Sequence, residues 1–313
     1  MSLLIAIRGW SPDQWVERFS KAAHPRPVFD ARAAFDPAAI RYAAVWKPEP
    51  GLLARLPNLR AIFNLGAGVD ALIGDPTLPD VPLCRIVNAD LTARMTEYVV
   101  LQCLMYLRQV EPYRRLQSER RWQPIDQPAA TDVRVGIMGM GVLGQDAAEV
   151  LVRLGFRVAG WSRSPKAVAG VETFAGEEGL APFLARTDIL VVLLPLTPET
   201  RGILNRDLFR RLARDGVLGG PFLVNAGRGG LQVEADILAA LDDGTLKAAS
   251  LDVFETEPLP ASSPLWAHPG VIITPHVAAD STPEALVEGI LANIALHERE
   301  GRLNDVVDRR TGY

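Results

Sequence analysis

The stretch Val133-Arg134-Val135-Gly136-Ile137-Met138 runs straight into Gly139-Met140-Gly141-Val142-Leu143-Gly144, and a helical pattern, Gln145–Leu154, comes next and is closed by Gly155. A short apolar β-run, three glycines at G-x-G-x-x-G spacing and a helix start leave few folds open. Glycine permits the tight turn at the first position, close backbone approach at the second and close helix–strand packing at the third. The helix N-terminus then offers free amides and the positive end of its dipole to an anion. The turn therefore suits the pyrophosphate of a dinucleotide, with Gly139, Gly141, Val142, Leu143 and Gly144 as its contact residues. Without its flanking strand and helix the same string fits a plain tight turn.

Around this motif the chain alternates short apolar runs with helical segments, the mark of parallel α/β sheets. Before it come Leu3–Ile7, Tyr42–Trp46, Leu59–Asn64 and Cys84–Val87. Ser11 and Pro12 give a cap and a first helical residue. From the motif onward six runs read as strands: Val133–Met138, Arg157–Trp161, Ile189–Leu194, Phe222–Asn225, Ala248–Val253 and Val271–Thr274. One long helix is predicted from Thr96 to about Trp122, linking two lobes. Gln123–Thr131, with two prolines and little apolar content, reads as an exposed connector with a boundary near it. Thr282-Pro283 opens a last helix that Gly301 ends. The expected fold is α/β, with two doubly wound parallel-sheet lobes: residues 1–97 with 283–313, and residues 98–282.

Composition narrows the function classes. A length of 313 residues fits two domains of about 100–200 residues each, and 48% hydrophobic with 22% charged residues is ordinary for a globular chain. A net charge of −4 gives no basic footprint for nucleic acid. No apolar stretch nears the roughly 20 residues a membrane span needs, and Met1–Trp10 reads as a first strand and not as a leader. Cys84 and Cys103 form neither a disulfide framework nor a metal knuckle. No metal site is expected, and a cytoplasmic small-molecule enzyme is the leading class.

The turn after the second strand of the motif lobe bears on the cofactor. An NAD site wants Asp or Glu there to accept from the ribose hydroxyls. Here Trp161-Ser162-Arg163-Ser164-Pro165-Lys166 holds no acid before Glu172. Arg163 can grip a 2′-phosphate bidentately, Ser162 and Ser164 can donate to it, and Lys166 adds charge. NADPH is therefore the expected cofactor, against the alternative of an ordinary solvated basic turn.

Ligands of doubly wound sheets bind outside the carboxyl ends of the strands. The residues just past those ends include Arg228 in Asn225-Ala226-Gly227-Arg228-Gly229-Gly230, Glu257 in Phe254–Pro260, and His276 after Thr274-Pro275. A guanidinium fork suits a carboxylate beside a carbonyl. An imidazole, with an ordinary pKa of about 6.5, can protonate an alkoxide at neutral pH. A glutamate can fix its tautomer and favour its charged form. Taken singly, each also fits a bland loop residue, with Glu255 beside Glu257. His24, His268 and His297 read as surface residues.

GMGVLG after a strand, the Arg of NAGRGG, the Glu of DVFETEPLP and the His of TPHVAA, in that order, resemble the D-isomer-specific 2-hydroxyacid dehydrogenases over essentially the whole chain. The strings VWKPEP, NLGAGVDAL, MTEYVV, WSRSPK, SPLWAHP and VVDRRTGY are most similar to the A-type glyoxylate/hydroxypyruvate reductase branch. The resemblance implies a Rossmann dinucleotide-binding domain and a flavodoxin-like substrate domain. It implies reduction of small 2-oxo acids, with Arg228 holding the substrate, His276 as general acid and Glu257 supporting it. It places the substrate carboxylate on the amides of Ala67 and Gly68, with Trp46 as a pocket wall and Trp266 from a neighbouring loop. Leu194 and Pro195 would flank the adenine, Asp252 would orient the nicotinamide carboxamide, and Asn225, Ala226 and Ala278 would complete the cofactor contacts. A homodimer with the long helix at its interface is implied too. Gly227 departs from an Ala in the family pattern, which bears on how rigidly Arg228 is held, and Lys47 stands beside Trp46 where the family often has a His or another residue, which bears on substrate preference. A reductase of bulkier acids such as phenylpyruvate and a non-catalytic NADPH sensor stay open as alternatives.

Overall fold

The computed structural model describes residues 2–279 and 281–312. The chain forms two compact units, Met1–Leu91 with Ser281–Tyr313, and Thr92–Asp280. The division falls at residue 91 and not near the 123–131 connector, which lies inside the second unit.

The first unit is built on a five-stranded sheet of β1 (Ser2–Ile7), β2 (Val28–Asp30), β3 (Ile40–Trp46), β4 (Ala61–Asn64) and β5 (Leu83–Cys84), in the order β2-β1-β3-β4-β5. All pairs are parallel, and the order is that of a flavodoxin-like sheet. Both faces are covered, so the central strands are continuous apolar runs: Leu3, Leu4, Ile5 and Ala43, Ala44, Val45 are fully buried. Each large aliphatic side chain buried this way contributes roughly 1.5–3 kcal/mol. Helix α1 (Asp13–Ala22) starts where the sequence predicts. Pro12 already has helical dihedrals and Ser11 Oγ accepts from the Asp13 N–H at 3.3 Å. Helix α2 is the short Asp70–Ile73. The C-terminal helix Pro283–Glu300 buries Leu286, Val287, Ile290 and Ile294, packs on α1, and ends on Gly301 with φ +67°.

The second unit carries seven parallel strands: β6 (Arg134–Met138), β7 (Arg157–Ser162), β8 (Glu172–Ala175), β9 (Ile189–Val192), β10 (Phe222–Asn225), β11 (Ala248–Leu251) and β12 (Val271–Ile273). Their order is β12-β11-β10-β9-β6-β7-β8. Renumbered within the unit this is the Rossmann order with one strand added, and the strand direction of travel reverses between β6 and β9. The core above β6, β9 and β10 is Val135, Ile137, Val191 and Val224 against Val99, Cys103 and Tyr106 of α3 (Ala89–Leu107) and Leu151 of α5 (Val142–Arg153). Gly155, after α5, has φ +94°.

Three expectations are corrected. The single helix from Thr96 to Trp122 is two helices, α3 and α4 (Val110–Ser118), broken at Gln109 with φ +53°. Pro112 supplies the reason: it has no N–H for the Arg108 carbonyl and its ring would clash there, so it is tolerated only in the first turn of a new helix. Strands β2 and β8 lie outside the expected set. Both are short sheet edges without a fully buried residue, so they lack the apolar run that marks a central strand. His297 is half-buried, not a surface residue, with Nδ1 3.1 Å from the Tyr42 hydroxyl.

Cys84 and Cys103 are both free and buried, and burial pushes each thiol up to about 12. Because the thiolate is the reactive form, an aromatic disulfide reagent at pH 8 is expected to leave the native protein untitrated and to titrate two thiols after denaturation. Rapid labelling of the native chain would contradict the packing described for β5 and α3.

Candidate active site

The glycine turn sits at the switch point of the second unit. Gly139 has φ +107°, and a Cβ there would come within 2.7 Å of Leu193 O on the exit of β9, so only glycine fits. A Cβ on Gly144 would collide with Gly139 O, which shows how tightly α5 is drawn against the turn. Gly141 differs: a Cβ there would meet nothing within 4 Å. Gly141 and Val142 are exposed at the helix N-terminus, so the turn offers amide donors and a cradle that a side chain would fill. That is the shape a pyrophosphate needs. Leu143 is half-buried behind it.

The end of β7 carries the basic turn. Arg163, Ser164 and Lys166 are exposed, with no acidic side chain in the turn. Ser162 is buried and donates its single hydroxyl proton to Ser164 O at 2.7 Å, so it braces the turn and is not a ready donor to a ligand. Leu194 is buried and Pro195 half-buried at the exit of β9.

Arg228 follows β10 in an extended conformation, half-buried, with Nη1 donating to Gly227 O at 2.7 Å. Gly227 does not loosen it. A Cβ at 227 would stand 2.9 Å from Leu194 O, and the Gly227 N–H donates to Asn225 Oδ1 at 3.1 Å. Asn225, fully buried, also donates to Arg228 O at 3.2 Å and to Gln232 Oε1 at 2.8 Å, while Gln232 Nε2 donates to Val253 O at 3.0 Å. Asn225 and Gln232 thus clasp the Arg228 loop to the loop after β11. Nothing in the sequence marks Gln232, since the carbonyl it bonds, that of Val253, lies 21 residues on in the loop after β11.

On the next loops His276 Nδ1 lies 2.8 Å from Glu257 Oε2, and Glu257 Oε1 accepts from the Phe254 N–H at 3.2 Å. A carboxylate only accepts, so Nδ1 carries the proton of this bond. Both side chains are partly exposed. Glu255 is engaged elsewhere, in reciprocal bonds with Glu234 at the start of helix Glu234–Asp242, so the geometry distinguishes the two acids. Asp252 is 1% exposed and accepts from Thr274 Oγ1 and the N–H groups of Val277 and Ala278. Burial raises its pKa. Its carboxylate is thus bound up in the His276 loop, and so is the Ala278 amide. Ala226 is buried beneath the Arg228 loop. Trp266 is exposed and donates to Pro260 O.

In the first unit, the loop after β4 is braced by Asn64, a buried residue with no sequence signal of its own. Its Nδ2 donates to Gly66 O at 2.9 Å and to Gly68 O at 2.8 Å. Among the described residues no backbone carbonyl takes the N–H of Ala67 or Gly68, and both residues are half-exposed. The Trp46 ring edge lies against Gly66, where a Cβ would collide with it, and the ring stacks on Trp10 at 4.9 Å and 19°. Lys47 has φ +42° and its ammonium lies 5.6 Å from the Trp46 ring centroid.

Comparison with known proteins gives the family. Residues 100–278 match the model of the D-isomer specific 2-hydroxyacid dehydrogenase NAD binding domain. A Serratia proteamaculans protein named glyoxylate/hydroxypyruvate reductase A is 42% identical across the whole of both chains. The chain belongs to the D-isomer specific 2-hydroxyacid dehydrogenase family. Among solved structures, an NADPH-dependent glyoxylate/hydroxypyruvate reductase from Sinorhizobium meliloti, in complex with NADP and sulfate, is 50% identical with a TM-score of 0.95 over the full length of both chains. A family member from Xanthobacter autotrophicus Py2, in complex with NADPH and MES, is 42% identical with a TM-score of 0.94, covering 100% of this chain and 99% of that one.

The glycine turn yields a paired prediction for this dehydrogenase. Gly141→Ala has room in the fold, so its thermal midpoint is expected within a degree or two of the parent while dinucleotide affinity, read by fluorescence titration, falls about tenfold or more. Gly144→Ala is expected to destabilise the protein by about 1–3 kcal/mol through overpacking. Parent-like affinity in Gly141→Ala would remove the pyrophosphate from this turn.

Proposed function

We propose that this dehydrogenase reduces small 2-oxo acids with NADPH, glyoxylate to glycolate and hydroxypyruvate to glycerate. The observation that carries the reading is the 2.8 Å contact between His276 Nδ1 and Glu257 Oε2, which holds the imidazole by one ring nitrogen and leaves Nε2 as the nitrogen assigned to the substrate. Bound at the glycine turn, NADPH supplies the hydride that adds to the carbonyl carbon. His276 Nε2 gives its proton to the carbonyl oxygen as negative charge develops there. Glu257 holds the imidazole in orientation by accepting the hydrogen bond from Nδ1. The Arg228 guanidinium pairs with the carboxylate and the adjacent carbonyl oxygen, fixing which carbon faces the hydride. The N–H groups of Ala67 and Gly68, without backbone acceptors among the described residues and backed by Asn64, are assigned to the substrate carboxylate as an anion nest. The second unit is read as the cofactor domain and the first as the substrate domain.

The preference for the phosphorylated cofactor rests on the turn after β7. Arg163 and Lys166 stand exposed there with no carboxylate in the stretch Trp161–Val171 to repel a 2′-phosphate, and the Sinorhizobium and Xanthobacter relatives are described with NADP and NADPH. The cytoplasmic setting is supported by two free cysteines and by the absence, among the described residues, of a helix long and apolar enough to cross a membrane.

The test is nicotinamide absorbance decay with glyoxylate or hydroxypyruvate, NADPH and NADH in parallel, on the parent and on Arg163→Ala. The parent is expected to use NADPH well above NADH. Arg163→Ala should lose roughly 10- to 100-fold in kcat/KM for NADPH, the scale of a charge-assisted phosphate contact, with NADH little changed. Equal use of both cofactors by the parent would contradict the reading of Arg163, and no turnover of either acid would contradict the substrate class.

A further inference from the structure

The loop that carries His276 is organised around one buried carboxylate. His276 holds a left-handed backbone, φ +57°, which residues other than glycine rarely adopt. Its N–H donates to Asp252 O at 2.8 Å. Asp252 Oδ1 accepts from the Val277 N–H at 2.9 Å and from Thr274 Oγ1 at 2.6 Å, and Oδ2 accepts from the Ala278 N–H at 3.0 Å. Residues on both sides of His276 are therefore tied to a single side chain.

The chain of hydroxyls behind that carboxylate has a fixed direction. A carboxylate has no proton to give, so Thr274 donates its only hydroxyl proton to Asp252. The Tyr98 hydroxyl lies 3.0 Å from Thr274 Oγ1 and must then be the donor of that bond. Tyr98 comes from α3, 9% exposed. Neither Tyr98 nor Thr274 touches the substrate or the cofactor in the proposed reaction.

We propose that Tyr98 and Thr274 are positioning residues for the proton donor: the directed chain from Tyr98 to Thr274 to Asp252 holds the left-handed turn and keeps His276 aimed at Glu257. The proposal rests on the reading of His276 as the general acid. Removing the Thr274 hydroxyl leaves Asp252 Oδ1 with one donor in place of two in a desolvated setting. The loop then regains a donor only by moving, and it moves at His276, where the backbone is most strained. A misplacement of about 1 Å at a reacting group costs on the order of 100-fold in rate.

The same helix contains an internal control. Tyr98, Gln102 and Tyr106 lie four residues apart on one face of α3. The Tyr106 hydroxyl meets Ser250 Oγ at 2.6 Å, and Ser250 Oγ donates to Gln102 Oε1 at 2.7 Å. This second chain is more deeply buried than the first and ends on the amide of Gln102, not on the carboxylate that holds the His276 loop. Loss of Tyr106 thus reports what a merely structural buried hydroxyl is worth.

The experiment compares Tyr98→Phe, Thr274→Val, Thr274→Ser, Tyr106→Phe and His276→Ala in the full chain, measuring kcat with NADPH and glyoxylate, NADPH affinity by fluorescence, and thermal unfolding. Thr274→Val is expected to lower kcat about 10- to 100-fold and Tyr98→Phe about 3- to 10-fold, with NADPH affinity within about twofold of the parent. Thr274→Ser, which restores the hydroxyl, should recover kcat to within about threefold, and Tyr106→Phe should lose stability but not kcat. Should Thr274→Val fail to fold, Tyr98→Phe, which removes one oxygen, still decides. The proposal is overturned by parent-like kcat in Thr274→Val and Tyr98→Phe while His276→Ala is inactive, by an equal kcat loss in Tyr106→Phe, or by losses confined to NADPH affinity. Turnover retained by His276→Ala overturns instead the assignment of the general acid, and the positioning role with it.

Discussion

The site of the second unit depends on how closely backbone can approach backbone at the exit of β9. Leu193 and Leu194 are met from the β6 side by Gly139 and from the β10 side by Gly227, and a Cβ at either would stand within 3 Å of a main-chain oxygen. The next loops are joined in the same way, since a Cβ on Gly229 would collide with Phe254 O. The Phe254 N–H in turn donates to Glu257, and Glu257 holds His276. One run of side-chain-free contacts thus fixes the phosphate turn, Arg228 and the His276–Glu257 pair relative to one another. Glycine is required there because the parallel sheet delivers every loop to the same rim at strand spacing, leaving no room for a side chain between adjacent exits.

Buried polar groups complete what the glycines begin. Asn225 and Gln232 clasp the Arg228 loop, and Asp252 gathers the residues around His276. In the first unit Asn64 does the same for the loop that presents the Ala67 and Gly68 amides. A buried amide or carboxylate left unpaired is costly, on the order of 1–3 kcal/mol, so each of these side chains fixes its loop to nearly one conformation. Each of the three loops is therefore held from its own unit, by bonds to its backbone carbonyls and amides.

Much of this is legible in the sequence. Strand-to-helix glycines, apolar runs of four to six residues and Ser-Pro or Thr-Pro helix starts each act within a few residues, so β6, α5, α1 and the C-terminal helix stand where their sequences place them. The edge strands β2 and β8 are not legible, because an edge needs no apolar run, and the break at Gln109 is masked by an apolar pattern that continues through Pro112. Arg228, Glu257 and His276 can be picked out because each follows a strand end. The Tyr98–Thr274–Asp252 chain and the Gln232–Val253 bond cannot, because those partners are distant in sequence, and Asn64 cannot, because a buried Asn bonding the carbonyls of its own loop looks locally like any other. Ser162 and Asp252, expected as ligand contacts, have side-chain bonds the sequence does not announce: Ser162 bonds its own turn and Asp252 the His276 loop.

The central claim is that Glu257 holds His276 as the proton donor for reduction of a bound 2-oxo acid. Its most direct test is single-turnover oxidation of NADPH by Glu257→Gln preloaded with the cofactor and mixed with glyoxylate. The account predicts parent-like NADPH binding and a reduction step slowed by about 100-fold, because the imidazole loses its carboxylate partner and with it its orientation. A Glu257→Gln protein that binds NADPH and reduces glyoxylate at the parent rate would contradict it.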